Sequence, residues 1–130
     1  MSCSSYFDDV AAFHHQVLGI ESTAPTWHTP NTLTERVKFM EEEIEEFVAA
    51  ASQQDMVKAA DALADLVYVA LGTAHQMGLP FNEIWAAVHK ANMQKMRGIG
   101  KRGMIYDAVK PPEWVGPETE IYKAIYAAAS

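Results

Sequence analysis

Residues 36–74 read RVKFMEEEIEEFVAAASQQDMVKAADALADLVYVALGTA, and this stretch decides the fold. On either side of Gln53-Gln54-Asp55, apolar residues recur at alternating spacings of three and four. Before the break they are Val37, Met40, Ile44, Phe47 and Ala51; after it they are Met56, Ala60, Leu63, Val67, Leu71 and Ala74. Such spacing lays a stripe along one face of a helix, whereas a half-buried strand alternates every second residue. The pattern predicts a helix from about Thr34 to Ser52, capped by Thr32 or Thr34. It predicts a second from about Gln54 to Met77, ending before Gly78.

The flanking sequence supplies the rest of an all-α chain. Phe7, Val10, Ala11, Phe13, Val17 and Leu18 predict a first helix over Ser5 to Leu18, stopped by Gly19. A turn-rich connection follows, Glu21 to Leu33, with Pro25 and Pro30. After Leu79-Pro80 a further helix covers about Phe81 to Met96. A glycine-rich basic loop, Arg97 to Lys110, then runs into Pro111-Pro112 and a helical tail from about Pro117. No repeat is present, and nothing alternates with period two over a convincing length. The expectation is one domain over residues 1–130, a helical bundle of four main helices with a C-terminal loop and short tail.

Composition narrows the function classes. At 130 residues, 49% hydrophobic and 21% charged, the chain has the make-up of a soluble globular domain rather than a disordered or disulfide-knotted peptide. The longest uncharged stretch, Leu66 to Asn82, is too short and too interrupted by His75, Gln76, Gly78 and Pro80 to span a membrane. The acidic start does not resemble a signal peptide, and the lone Cys3 has no partner for an intrachain disulfide. A cytoplasmic setting is the expectation. With 10 basic against 17 acidic residues, a net charge of −7 argues against binding a nucleic acid polymer.

Two groups of residues point to chemistry. The run Glu41-Glu42-Glu43-Ile44-Glu45-Glu46 places Glu42, Glu43 and Glu46 within one arc of about 100°. Glu41, Glu42 and Glu45 fit such an arc as well, and a solvated acidic face would need neither. Asp65, however, interrupts an apolar run from Ala62 to Leu71, and Asp61 sits one turn before it on the same face, with Tyr68 and Gly72 continuing the line. An unpartnered carboxylate buried there would cost several kcal/mol. Carboxylates from two adjacent helices form an oxygen-only cluster suited to Mg²⁺ or Mn²⁺. A di-iron site would need Glu-x-x-His, and none of the five histidines has an acid three residues before it. Positive charge comes later. Trp85, Val88, Asn92 and Lys95 follow 3-4-3 spacing, which predicts an inward stripe. Beyond it Arg97, Lys101, Arg102 and Lys110 lie among Gly98, Gly100 and Gly103. A flexible cationic loop beside a metal cluster suits a polyphosphate substrate.

Taken together, Arg36 with Glu42-Glu43-x-x-Glu46-Phe47, Asp61-Ala-Leu-Ala-Asp65-Leu-Val-Tyr68, and Val88-His89-x-x-Asn92-Met93-x-Lys95 resemble the MazG-like all-α nucleoside triphosphate pyrophosphohydrolases, especially small phage and bacterial single-domain members. The resemblance covers about Thr34 to Pro112 and selects Glu42, Glu43 and Glu46. It departs at position 62, where the family pattern has an acid and this chain has Ala. The Gly-Lys-Val-x-Lys pattern before Pro-Pro is reduced to Lys110 and the prolines.

The resemblance implies hydrolysis of a (deoxy)nucleoside triphosphate to the monophosphate and pyrophosphate. Glu42, Glu43, Glu46, Asp61 and Asp65 would hold two or three Mg²⁺ or Mn²⁺ ions, with Glu42, Glu43, Glu46 and Asp65 carrying the catalysis. Asn92, Lys95, Arg102 and Lys110 would contact phosphate or sugar. Trp27 and Asn31 are the candidates for base contacts and Tyr68 a further substrate-binding candidate, and the lean is towards dATP and dGTP, as in the phage MazZ-type branch. A homodimer or homotetramer is expected. Two other readings stand beside this one: a phosphoribosyl-ATP pyrophosphohydrolase, and a non-catalytic bundle whose acidic face docks a basic partner.

Overall fold

The computed structural model describes residues 4–21, 23–103 and 105–129; Cys3 lies outside them. The chain runs α1 (Tyr6–Phe13), a π-helical turn (His14–Leu18), α2 (Pro30–Ser52), α3 (Met56–Gln76), α4 (Phe81–Met93), β1 (Met96–Gly98), β2 (Asp107–Val109) and α5 (Glu118–Ala129). It divides into two compact units, residues 1–81 and residues 82–130. No helix among the described residues is long and apolar enough to cross a membrane.

In the first unit the caps fix the helix ends. Ser5 and Asp8 form a reciprocal capping box at α1. The helix then widens into the π turn and stops at Gly19 in the left-handed region, φ 69°. α2 starts earlier than the apolar stripe suggests. Thr29 is the cap and accepts from the Thr32 amide at 3.3 Å, with Pro30 in the first helical position, where its missing N–H leaves no bond unmade. Asp55 caps α3 through the Lys58 amide at 3.1 Å. Gln54 sits at φ 53° in the three-residue turn between α2 and α3, so the two helices form an antiparallel hairpin.

That hairpin buries only part of the face the apolar stripes suggest. Ala50 and Glu43 are the buried residues of α2, while Val37, Ile44 and Val48 are exposed. On α3 the buried positions are Ala62, Val69, Leu71, Gly72, Ala74 and His75, whereas Met56, Leu63 and Val67 face outwards. The physical reason is competition between two candidate faces. The small residues of α3 admit close approach of α2 together with the side chains of Arg36 and Glu43, leaving Val37, Ile44, Leu63 and Val67 uncovered, while Leu71 and Ala74 at the end of the α3 stripe are buried as the spacing predicts. α1 packs on α3, with Val10 fully buried and Phe7 tilted against His75 and Phe81.

In the second unit, Ile84, Ala87 and Ala91 are the buried residues of α4. The expected inward stripe is therefore not the buried one: Trp85 and Asn92 are exposed, and Val88 and Lys95 are half-buried. α4 also stops at Met93 rather than Met96, because Met96–Gly98 pairs antiparallel with Asp107–Val109, Met96 opposite Val109. Three-residue strands are too short to register as alternation in a sequence, and the glycines that read as loop make the hairpin. Gly103, at φ 74°, closes a turn onto Gly100. Lys90 pairs with Glu120 at 3.0 Å, tying α4 to α5.

Candidate active site

Antiparallel pairing about Gln54 brings residues equidistant from it across from each other. Glu43 lies eleven residues before Gln54 and Asp65 eleven after. The oxygens of Glu43, Glu46 and Asp65 fall within 4.8 Å of one another. Glu43 is buried, Asp65 half-buried and Glu46 exposed, so the cluster opens to solvent at one edge. One Glu43 oxygen, Oε2, is buried without a hydrogen-bond partner among the described residues. Burial pushes the Glu43 carboxyl above its ordinary range, reinforced by the charge and hydrogen bonding of Glu46 and then by Asp65 and Asp61. Asp65 is raised in turn by burial, Asp61 and Glu46. Three converging carboxylates, one with an orphaned buried oxygen, fit a hard divalent cation.

Of the five acids expected to hold metal, the structure gathers these three. Asp61 is exposed and close enough to raise both Glu43 and Asp65. Glu42 is exposed and is not among the three converging carboxylates.

The raised carboxyls make a pH prediction. A carboxyl held above its unfolded value stabilises the fold at low pH, and that contribution is lost as pH rises through the folded value. His75 works the other way. Burial, then the neighbouring His14, lowers its pKa, so its contribution is lost as pH falls below the ordinary histidine range. Comparing the metal-free chain with Glu43→Gln cancels the His75 effect. In thermal melts in EDTA the Gln variant is expected to be the more stable at pH 8, by a few degrees, with the gap closing towards pH 5. A gap that stays constant with pH would mean that the raised carboxyl is not its source.

Beside the cluster lies a cavity of about 430 Å³, within the range of small-ligand pockets. Glu43 and Asp65 form one part of its wall, and Phe13, Phe39, Tyr68 and Arg36 others. The Arg36 side chain spans the helix pair. Its Nε donates to Thr73 Oγ1 at 3.0 Å and its Nη2 to the Val69 carbonyl at 2.9 Å. The guanidinium lies 5.7 Å from the Phe39 ring centre. Burial lowers its pKa, though from a value high enough to keep it charged. His14 is also buried in this wall. Its Nδ1 meets the Val10 carbonyl at 2.9 Å and its Nε2 the Gln76 side-chain amide at 3.1 Å, so both ring nitrogens are engaged.

Tyr68, a substrate-binding candidate, lines this cavity. Trp27 is 77% exposed, and Asn31 is exposed in the first turn of α2; neither lines it. The sequence marked Arg36 as part of a motif but gave no reason to place it, Phe13 or Phe39 in a site. Only its spacing of seven residues from Glu43, two helical turns on one face, was a usable signal.

The second unit holds the proposed phosphate contacts. Lys95 and Lys110 both lie over the Trp114 ring, at 5.2 and 4.9 Å from its centre. The indole N–H donates to the Ala91 carbonyl at 2.7 Å, fixing the ring against α4. Arg102 pairs with Asp107 at 3.2 Å, so its charge is already partly matched. Arg102 and Lys110 line a hollow of about 510 Å³ with Lys101. Asn92, Lys95, Arg102 and Lys110 therefore belong to the unit built on α4 and the β-hairpin, and Glu42, Glu43, Glu46, Asp61, Asp65 and Tyr68 to the unit built on the α2–α3 hairpin. Trp114 gave no periodic signal in the sequence.

The profile of a known family, described as phosphoribosyl-ATP pyrophosphohydrolase, matches residues 10–92. It takes in the second half of α1, the whole α2–α3 hairpin with its carboxylates, and most of α4. Among curated proteins no sequence matches the chain. With nearly two thirds of its length inside the profile, carrying an acidic cluster suited to a divalent ion, the chain belongs to the phosphoribosyl-ATP pyrophosphohydrolase family, within the MazG-like all-α superfamily, and is a nucleotide pyrophosphohydrolase.

Proposed function

We propose that the protein hydrolyses purine deoxynucleoside triphosphates, dATP and dGTP, between the α- and β-phosphates, releasing the monophosphate and pyrophosphate. The observation that carries this reading is the carboxylate cluster beside a cavity with aromatic walls, a place for a divalent ion next to a place for a base. Glu43, Glu46 and Asp65 would hold the ion, with Asp61 and Glu42 as the further acids of the set. Bound Mg²⁺ or Mn²⁺ supplies polarisation of the phosphate and a water acidified for attack. A carboxylate of the cluster accepts the proton that water gives up. Phe13, Phe39 and Tyr68 offer faces for stacking and exclude water from the base. Lys95, Lys110 and Arg102 are assigned to the phosphates and Asn92 to phosphate or sugar. Trp27 and Asn31 remain assigned to the base, outside the cavity wall.

Phosphoribosyl-ATP is a second reading, favoured by the family match itself. It shares the adenine nucleotide and the same scissile linkage, and differs in a large substituent on the base. Oligomerisation belongs to the proposal too. Ile44 and Val48 on α2, with Leu63 and Val67 on α3, leave an apolar face of the first unit uncovered, and a homodimer or dimer of dimers would cover it.

The test is a pyrophosphate-release screen over all common NTPs, dNTPs and phosphoribosyl-ATP, with Mg²⁺ and Mn²⁺ separately. Release from dATP and dGTP in preference to pyrimidine nucleotides is the expected outcome. Release from phosphoribosyl-ATP alone would establish the second reading. No release with metal present and the protein folded would leave the docking bundle.

A further inference from the structure

Arg36 has more donors than its helix contacts use. A guanidinium offers five N–H groups arranged in forks. The fork formed by Nε and Nη2 is turned to α3, where it meets Thr73 Oγ1 and the Val69 carbonyl. The other fork, the parallel N–H pair at the Nη1–Nη2 end, has no partner among the described residues, and Arg36 forms no ion pair there. Its seat is built for it: a Cβ at Gly72 would stand 3.0 Å from Arg36 Nη2 and 3.0 Å from His14 Cε1. An alanine there would therefore push both side chains by a few tenths of an ångström.

The surroundings say which ligand group this fork meets. Arg36 and Glu43 share a face of α2, two turns apart, about 10.5 Å along the axis. The cavity that both line has aromatic walls, Phe13, Phe39 and Tyr68, and both ring nitrogens of His14 are already engaged. A triphosphate tail would want several cations and no aromatic faces. A base wants stacking surfaces and one well-placed hydrogen-bonding group.

We infer that Arg36 is a specificity-determining residue whose free fork reads two adjacent acceptors on the base edge, O6 and N7 of a guanine. The inference rests on the proposed nucleotide reading and narrows it from purines to 6-oxopurines. Adenine presents N7 beside an amino group, which repels one arm of the fork.

The experiment is equilibrium binding in Mn²⁺ of non-hydrolysable α,β-imido analogues of dGTP, dITP, 7-deaza-dGTP, dATP and dCTP, to the wild-type chain and to Arg36→Lys, Arg36→Gln and Gly72→Ala. The wild type is expected to bind the dGTP and dITP analogues about tenfold or more tighter than the dATP analogue, the range of a bidentate arginine–guanine contact. The 7-deaza analogue should lose much of that advantage. Arg36→Lys keeps the charge without the fork, so its dGTP-to-dATP ratio should collapse towards one. Gly72→Ala should narrow the ratio with the arginine still present, and circular dichroism checks that each variant is folded. Equal wild-type affinity for dGTP and dATP analogues, tighter dCTP binding, or equal weakening of every analogue in Arg36→Lys would each overturn the inference. A dGTP preference in binding with no pyrophosphate released from dGTP would uphold it and refute the proposed reaction instead.

Discussion

Glu43→Gln is expected to abolish metal-dependent pyrophosphate release, by about a thousandfold or more, while leaving the helical content unchanged. The size follows from where the side chain sits. Glu43 is the buried member of the three-carboxylate cluster, and its Oε2 has no hydrogen-bond partner among the described residues. An amide at that position keeps the volume and removes the charge a hard cation needs. Removing charge here also removes repulsion from Glu46, Asp65 and Asp61, so the metal-free variant should melt above the wild type. Addition of Mg²⁺ or Mn²⁺ should raise the melting temperature of the wild type and leave that of the variant nearly unmoved. Steady-state kinetics and paired melts with and without metal provide the check. A variant that still turns over in a metal-dependent manner would remove this cluster from the reaction.

The largest loss of stability is expected from Gly78→Ala. Gly78 ends α3 at φ 69°, a conformation that costs a residue with a Cβ of order 1 kcal/mol. Its own amide bonds to the His75 carbonyl at 3.0 Å, and the Leu79 amide to the Ala74 carbonyl at 3.0 Å, so the backbone is held in that shape. The connection from α1 then crosses directly over it. A Cβ on Gly78 would lie 2.3 Å from the Thr23 carbonyl oxygen and 2.5 Å from that of Ala24. Those are backbone atoms, and the nearby Thr26 amide is tied to the Met77 carbonyl at 2.9 Å, so this segment of chain cannot swing aside freely. Conformational strain and overpacking together amount to about 3 kcal/mol, against roughly 5–15 kcal/mol for a whole domain. Urea titration should show a large fall in midpoint. By contrast Gly19, also at positive φ, has nothing within 4 Å of where a Cβ would stand, and Gly19→Ala should lose only the conformational part.

Helix periods and turn residues made the five helices legible, because each helix carries its own local signals, Gly19 and Gly78 as stops and Asp55 beside the Gln53-Gln54 break; Pro30, which read as part of the connection, instead opens α2. Which face of α2 and α3 would be buried was not legible. The 3-4 stripes of Ile44, Leu63 and Val67 obey the usual pattern, yet they lie outside, and Glu43 lies inside. Only the mutual packing of two helices decides that, and the small residues Ala62 and Gly72 favour a closer approach than the larger apolar ones permit. The acidic cluster was half visible for the same reason. Spacing put Glu43, Glu46, Asp61 and Asp65 on compatible arcs, but pairing across the turn at Gln54 was needed to bring Glu43, Glu46 and Asp65 within 4.8 Å. Arg36 and the aromatic wall come from α1, α2 and α3 together, and no local pattern joins Phe13 to Phe39.

The short turn at Gln54 has a consequence in the order of folding events. Glu43 and Asp65 are 22 positions apart, against more than 40 between α1 and α3, and a hairpin of two helices can close from its turn outwards with little loop entropy. The carboxylates are therefore expected to meet early, before α1 docks on α3, so that their mutual repulsion would slow folding, which stopped-flow refolding with and without metal would read. A divalent ion that relieves the repulsion would act mainly by hastening folding, and the rate of unfolding would change far less.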